Sequence, residues 1–450
     1  MAKSKQKFIC QNCEAVFYKW AGRCESCGEW NSLVEQTLPE MGRSAVARSI
    51  NNGKPLQVNS LNSIPFEEGM KRLKTGIGDL DIILGGGILP GGVTLLAGQP
   101  GIGKSTLLLQ TVSNIAHNYD VLYISGEESA GQVRLRAARL GADKSSNLNF
   151  AASTSADDIA ATIRTGKYQL VVVDSVQTLH LNEITSSPGS ISQITNSSNV
   201  IINAAKETGT SVIFVGHVTK EGSIAGPKIL EHLVDVVLQF EGDRYGGFKI
   251  VRAVKNRYGS TNEAAIFEMG EKGLKIVENP SAALLAERRD EDGSVVLATL
   301  EGARPLLVEI QALVNSTNFG YPKRTASGFD INRLNLLIAV LERRTKLKLS
   351  DKDIYINVVG GIKISDPAAD LAICMAIASA SARRRLNYGT VVFGEVGLGG
   401  EVRSVTSIEK RIAEAKKLGF TKALAPRTGK DEFIIGVDNV RSTLIEYLQK

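Results

Sequence analysis

Gly98-Gln99-Pro100-Gly101-Ile102-Gly103-Lys104-Ser105 is a complete G-x-x-x-x-G-K-[ST] phosphate loop. Its glycines let backbone N–H groups turn inward around a polyphosphate. Lys104 brings a positive charge to the β/γ-phosphates, and the Ser105 hydroxyl is a ligand for Mg²⁺. The context agrees. Val93 to Ala97 is a short apolar run suited to a buried strand, and Lys104 to His117 has the apolar spacing of a helix, so the phosphates would sit at a helix N-terminus. Residues Gly98 through Thr106 are therefore expected to hold a nucleoside triphosphate.

Outward from the loop, apolar strands and helical stretches alternate. Strands are predicted at Val93–Ala97, Val121–Ser125, Asn147–Ala151, Gln169–Asp174, Ser211–His217, Val234–Phe240 and Phe248–Val254. Alternation of this kind predicts a mostly parallel sheet covered by helices, with ligands at the C-terminal strand ends. The last two strands follow one another without a helix, which predicts an antiparallel extension. After Asn279-Pro280 the pattern restarts as a second α/β unit, with helices predicted at Leu334–Lys346, Ala368–Ala382 and Ser407–Leu418.

The chain has 450 residues, 43% apolar and 22% charged, the balance of a soluble globular protein. A net charge of +6 fits a nucleic-acid partner without demanding one. No run of eighteen apolar residues occurs, so no membrane-spanning helix is expected. The charged N-terminus lacks a signal-peptide core, and a reducing cytoplasm is the expected setting. Four of the five cysteines fall in two knuckles, Cys10-x-x-Cys13 and Cys24-x-x-Cys27, ten residues apart. This spacing favours tetrahedral thiolate coordination of Zn²⁺ over an iron–sulfur cluster or a redox pair. So short a segment builds little core of its own, and the metal would supply the folding free energy. Lys19, Trp20, Arg23 and Trp30 surround the knuckles. Stacking on a base is one reading of them; covering the metal site is the favoured one. Cys374, in an apolar helical stretch, reads as core. The predicted domains are a ribbon over 1–35, a linker over 36–65, an ATPase over 66–278 and the second α/β domain over 279–450.

Several residues have the chemistry that hydrolysis needs. Asp174 ends an apolar strand in the Walker B manner and would hold Mg²⁺ opposite Ser105. Glu127 and Glu128 end another strand. Glu127 is preferred as the water-activating base, and the competing reading is that both acids cap the next helix. His217 reads either as a γ-phosphate sensor or as a structural histidine. The basic loop after it, with Lys220 and Lys228, is a candidate DNA contact or a plain surface loop. Lys255 and Arg257 lie at alternate positions just past a strand, too far along the chain for easy service in the same site. Placed at a subunit boundary, they would act as fingers on a neighbour's γ-phosphate, making an oligomer the catalytic unit.

With these pieces assembled, the chain resembles the bacterial RadA (Sms) family of recombination and repair proteins from end to end. The resemblance is carried by the four-cysteine ribbon, the RecA-like ATPase and Lys255-Asn256-Arg257-Tyr258-Gly259, where the family has KNRFG. It implies a RecA-like P-loop α/β core with an N-terminal zinc ribbon and a Lon-protease-like C-terminal α/β domain. It further implies an ATP- and Mg²⁺-dependent hexameric ring on single-stranded and branched DNA, driving branch migration with the RecA recombinase in repair of DNA damage. Carried over by residue, the catalytic glutamate falls on Glu127, Walker B on Asp174 and the trans-acting cations on Lys255 and Arg257. The C-terminal domain departs from the proteases. Ala368 stands where their serine would be and Glu409 where their lysine would be, so that route to peptide hydrolysis has no chemistry. The basic clusters Arg343 to Lys348 and Arg383 to Arg385 read equally as DNA contacts and as solvated faces. Two alternatives to a DNA-dependent motor are an ATP-dependent Lon-type peptidase and a nucleotide-regulated scaffold.

Overall fold

The computed structural model describes residues 7–10, 15–17, 19–30, 32–36, 60, 71–217, 228–242, 247–317, 320–427 and 431–448. Two compact units divide the chain between Glu68 and Gly69. In the first, β1 (Lys7–Cys10) pairs antiparallel with β2 (Val16–Phe17) and with β3 (Leu33–Gln36). Among its described residues the buried apolar ones are Phe8, Cys10, Cys24 and Leu33. Trp20 and Trp30 are 62% and 68% exposed. Neither indole is buried, and the Arg23 guanidinium lies over the Trp30 ring. Cys13 and most of the expected linker lie outside the described residues.

The second unit is built on two sheets. In the first, β4 (Val93–Gly98) is the central strand, and all six of its residues are buried. A strand covered on both faces has no use for polar alternation, which is why it reads as an unbroken apolar run. It pairs parallel with β8 (Ser211–His217) on one side and β9 (Val236–Gly242) on the other. Beyond β8 follow β7 (Leu170–Asp174), β5 (Val121–Ser125) and β6 (Leu148–Ala152), all parallel. Beyond β9 the sheet turns antiparallel through β10 (Phe248–Asn256), β11 (Ala264–Gly270) and β12 (Gly273–Ile276). Each predicted strand is present within two residues at either end. The antiparallel extension holds two more strands than were read from the sequence.

Helices flank this sheet. Among the described ones are α1 (Gly78–Ile83), α2 (Lys104–Ile115), α3 (Ala130–Leu140), α4 (Ala156–Arg164), α5 (Ile191–Thr208) and α6 (Lys228–Leu233). Ser129, Ser155 and Ser190 each cap the helix that follows through the side-chain oxygen, satisfying N–H groups that have no intrahelical partner.

Residues from α7 (Pro280–Leu285) onward form the second sheet and its helices. Its described strand order is β15 (Arg324–Ser327), β16 (Lys352–Val358), β14 (Arg304–Ser316), β13 (Ser294–Glu301), β17 (Thr390–Val392), β20 (Lys422–Pro426) and β21 (Ile434–Val437). A separate hairpin joins β18 (Glu395–Val396) to β19 (Val402–Arg403). The predicted helices are α8 (Ile331–Thr345), α9 (Ala369–Ala382) and α10 (Ile408–Lys417), followed by α11 (Val440–Tyr447). Helix α9 is buried on every side from Ala369 to Ser379, so its apolar residues show no helical stripe. Ile250, Ala264 and Ile266 of β10 and β11 belong to this second core, so one apolar mass runs from the first sheet into the second. Salt bridges cross the same boundary: Arg252 to Glu301, 3.0 Å, and Arg304 to Asp79, 2.8 Å.

The second core encloses a charge. Arg411 is fully buried, its Nη1 donating to Asp366 and to the Ala298 carbonyl, both at 2.7 Å. Burial alone would push the Asp366 carboxyl up. The Arg411 hydrogen bond and charge, with the Ala368 and Leu300 amides, hold it below its ordinary value. Removing one partner strands the other charge in a low dielectric. Asp366→Ala is therefore expected to cost about 3–5 kcal/mol, read as a lower denaturant midpoint for this domain.

Candidate functional site

Strand β4 ends at Gly98, and the loop returns to open α2 at Lys104. Gly103 makes the turn at φ 118°, a left-handed conformation open to glycine and strained for other residues. Gly98 has its own reason, since a Cβ there would lie 2.7 Å from the Phe240 carbonyl oxygen. Ile102 points into the core, leaving its backbone for the loop's interior. A cleft of about 560 Å³ opens over the loop. Pro100, Gly101, Gly103, Lys104, Ser105 and Thr106 line one side, and Glu127, Asp174 and His217 line another.

Lys104 is 4% exposed, and its ammonium donates to the carbonyls of Gly98, 2.8 Å, and Gln99, 3.0 Å. It also lies 3.1 Å from Nδ1 of His217. With the ammonium as donor, Nδ1 is the acceptor, so the imidazole proton sits on Nε2, which faces Glu127 Oε1 at 3.4 Å. Burial lowers the Lys104 pKa to about 8, against the pull of Asp174 and then Glu127 in the other direction.

Strand register brings the acids together. Ser125 of β5 pairs with Asp174 of β7, placing both at the C-terminal edge of the sheet beside the loop. Asp174 Oδ2 accepts two hydroxyls, Ser105 at 2.7 Å and Tyr123 at 2.6 Å. Tyr123 is 1% exposed. Its burial, and then the Asp174 charge, raise its pKa well above the ordinary value, so the hydroxyl keeps its proton. Past β5, the Ser125 hydroxyl accepts from the Glu128 amide, 2.9 Å, and caps the turn. Gly126 is required there because a Cβ would meet Thr178 Oγ1 at 2.2 Å.

The two glutamates then part. Glu128 is held in a bidentate pair by Arg136 of α3. Glu127 faces the cleft, accepts from Ser175 Oγ, and has a side chain 43% exposed. Helix-capping is thus not the role of either carboxylate: Ser129 caps α3.

Lys255 and Arg257 lie elsewhere. Asn256 pairs with Val236, at the start of β9, whereas Gly98 pairs with Phe240 further along the same strand. That separation is roughly 13 Å along the strand, at the sheet edge opposite their own phosphate loop. Lys255 Nζ donates to the carbonyls of Glu231, 2.7 Å, and Val234, 2.8 Å, around the C-terminal end of α6. Arg257 reaches Asp235 at 3.2 Å and leaves its side chain 56% exposed. Lys220 lies outside the described residues, and Lys228 opens α6 with its side chain undescribed.

Two participants carry no signature in the sequence. Tyr123 reads as one more apolar strand residue, although a buried tyrosine always raises the question of where its hydroxyl bonds. The β11–β12 hairpin closes one end of the cleft with Met269, Gly270, Glu271 and Gly273. Gln110 of α2 clamps it by accepting from the Leu274 amide, 2.9 Å, and donating to its carbonyl, 3.0 Å.

In the first unit, the sulfurs of Cys10, Cys24 and Cys27 all lie within 4.8 Å of one another. Thiolates around a tetrahedral Zn²⁺ at about 2.3 Å stand just under 4 Å apart, so three of the four predicted ligands are placed as a metal would need. In the C-terminal domain, Ala368 is buried at the start of α9 and Glu409 is exposed in the first turn of α10. No described helix is long and apolar enough to cross a membrane.

Comparison with known proteins agrees with this division. The family described as AAA domain matches residues 69–223, the Rubredoxin metal binding domain matches 8–35, and the family of subunit ChlI of Mg-chelatase matches 334–429. DNA repair protein RadA of Bacillus subtilis is 48% identical over 99% of each chain. Its counterpart in Pseudomonas aeruginosa is 46% identical over 95% of this chain and 94% of its own, and that of Aquifex aeolicus is 45% identical over 95% of both. With that much identity over almost the whole length, the chain, which carries an AAA-type ATPase domain, belongs to the RadA family of DNA repair proteins.

Proposed function

We propose that this protein is a DNA-dependent ATPase that binds single-stranded and branched DNA as a homo-oligomer, a hexameric ring. In this reading it drives branch migration of recombination intermediates in concert with RecA. One observation carries the proposal. Lys104, Ser105, Asp174, Glu127 and His217 converge on one cleft, while Lys255 and Arg257 lie at the far edge of the same sheet. A protomer so arranged has the phosphate-holding half of a site on one side and a cationic half on the other. Stacking protomers would join the two halves.

The loop from Gly98 to Thr106, Pro100 apart, would wrap the ATP phosphates with its backbone N–H groups, and Lys104 would leave its carbonyls to meet the β/γ-oxygens. Ser105 and Asp174 offer adjacent hard oxygen donors, the set that Mg²⁺ selects. Ser105 and Asp174 would hold the ion, whose positive charge would offset that of the β- and γ-phosphates. Glu127 would take the proton of the attacking water, and its neighbour His217 would register whether Lys104 has moved to a γ-phosphate. The neighbour's Lys255 and Arg257 would then stabilise the charge of the transition state. Cys10, Cys13, Cys24 and Cys27 would hold Zn²⁺ and fix the ribbon. We place the domain boundaries at 35, 65 and 278. The peptidase alternative finds no hydroxyl at Ala368 and no amine at Glu409, and a passive scaffold has no use for Glu127 facing the cleft.

Three outcomes are expected. Single-stranded DNA should stimulate ATP turnover by purified, assembled protein, and Lys255→Ala mixed into wild type should depress activity more than dilution does. Indifference to DNA in assembled protein would sink the motor reading; mixing that follows simple dilution would sink the shared site. Glu127→Gln should lower kcat by about 10²–10⁴ while still binding ATP. Glu128→Gln, which loosens Arg136 at the rim of the same cleft, should lower kcat far less than Glu127→Gln does. Finally, the Lys104 ammonium loses its proton as pH rises through about 8. Its attraction for phosphate goes with it, so the KM for ATP should climb above that pH while remaining flat below it.

A further inference from the structure

The geometry points to Tyr123 as a positioning residue for the magnesium site, its hydroxyl fixing the orientation of the Asp174 carboxylate. The inference rests on the nucleotide reading above and extends it to a residue that touches neither phosphate nor metal.

Tyr123 and Ser125 project from the same face of β5, and Asp174 is the β7 partner of Ser125. The phenol therefore reaches Asp174 diagonally from beneath, while Ser105 reaches it from the phosphate loop. Both hydroxyls donate to one oxygen, Oδ2, at 2.6 and 2.7 Å. Two donors at one oxygen fix the plane of the carboxylate and leave Oδ1 for the coordination shell of the ion. Ser105 is itself a proposed metal ligand, so its hydroxyl is shared. The Tyr123 hydroxyl donates to Asp174 and also neighbours the Ser105 hydroxyl, so it lies against both proposed metal-holding side chains.

Packing holds the ring but does not call for a hydroxyl. A second cavity of about 330 Å³ lies against it, walled by Leu109, Val133, Ala137, Leu148 and Phe150. The ring is packed in the core of the first sheet, and its hydroxyl end meets Asp174 at the cleft. A phenylalanine would satisfy the apolar packing and lose only the donor, so the tyrosine hydroxyl has a task of its own. Hydrogen bonds to charged groups are the stronger class, and removing one from a metal-facing carboxylate lets that carboxylate rotate.

The test is Tyr123→Phe in the full chain, read by equilibrium binding of a fluorescent ADP with excess Mg²⁺ and with excess chelator, followed by Mg²⁺ titration of ATP turnover. Wild type should bind more tightly with Mg²⁺ than without. The variant should match wild type in chelator, and its Mg²⁺-dependent gain should shrink by about tenfold, the size expected for one charged hydrogen bond. The Mg²⁺ concentration for half-maximal turnover should rise in parallel, and saturating Mg²⁺ should restore kcat. Weaker binding in chelator and Mg²⁺ alike would mean a general packing defect and overturn the inference. So would an unchanged Mg²⁺ dependence. If wild type itself shows no Mg²⁺-dependent ADP binding, the nucleotide reading has failed instead, and the two failures are distinct.

Discussion

A buried ammonium cannot remain without oxygen or nitrogen acceptors, and Lys104 finds them in the loop that carries it. Its contacts to the Gly98 and Gln99 carbonyls draw the start and end of that loop together. The loop can close so tightly because Gly98 lets Phe240 approach and Gly103 takes a left-handed turn. From Lys104 the contacts run through His217 to Glu127, and the Ser105 hydroxyl beside it reaches Asp174. The strand order makes this possible, since β4, β8, β7 and β5 are successive neighbours and deliver their C-terminal ends to one edge. Of these partners of the ammonium, His217 is the one whose other ring nitrogen faces a carboxylate, Glu127.

The parts of this molecule legible in the sequence are those where a residue type is dictated by backbone or burial. The phosphate loop needs its glycines, and the parallel strands need unbroken apolar runs because both faces are covered. Asp174 stands out as a charge at the end of Leu170 to Val173. Separating Glu127 from Glu128 took strand-end placement in the sequence and the Arg136 pair in the structure. Tyr123 was hidden because its ring satisfies the core and its hydroxyl acts across a strand pair that no local pattern reveals. The Trp20 and Trp30 indoles are exposed although apolar size suggests burial, since a unit this small has too little interior to hold them. Helix α9, whose apolar residues cover every side, was found by length and composition and not by periodicity.

The C-terminal domain buries charge close to Ala368. Asp366 and Arg411 occupy the ground between Ala368 and α10, joined by Thr299 Oγ1, 3.0 Å, and the Leu300 amide, 3.1 Å. A second buried carboxylate, Asp370, takes Arg333 and the Val396 amide. Such pairs contribute little net stability against well-packed apolar residues, yet they admit very few alternative arrangements.

The shared core of β10, β11 and the second sheet has a mechanical result. Ile250 and Ile266 lie in one strand pair and one apolar cluster with Leu284, Leu306 and Val308, and Arg252 spans the boundary to Glu301. Densely packed interiors deform little. Strand β10 carries Lys255 and is followed at once by Arg257, so the KNRYG stretch and the C-terminal core hang on one strand, with a shift of register between Ala253 and Lys255 as the hinge point along it.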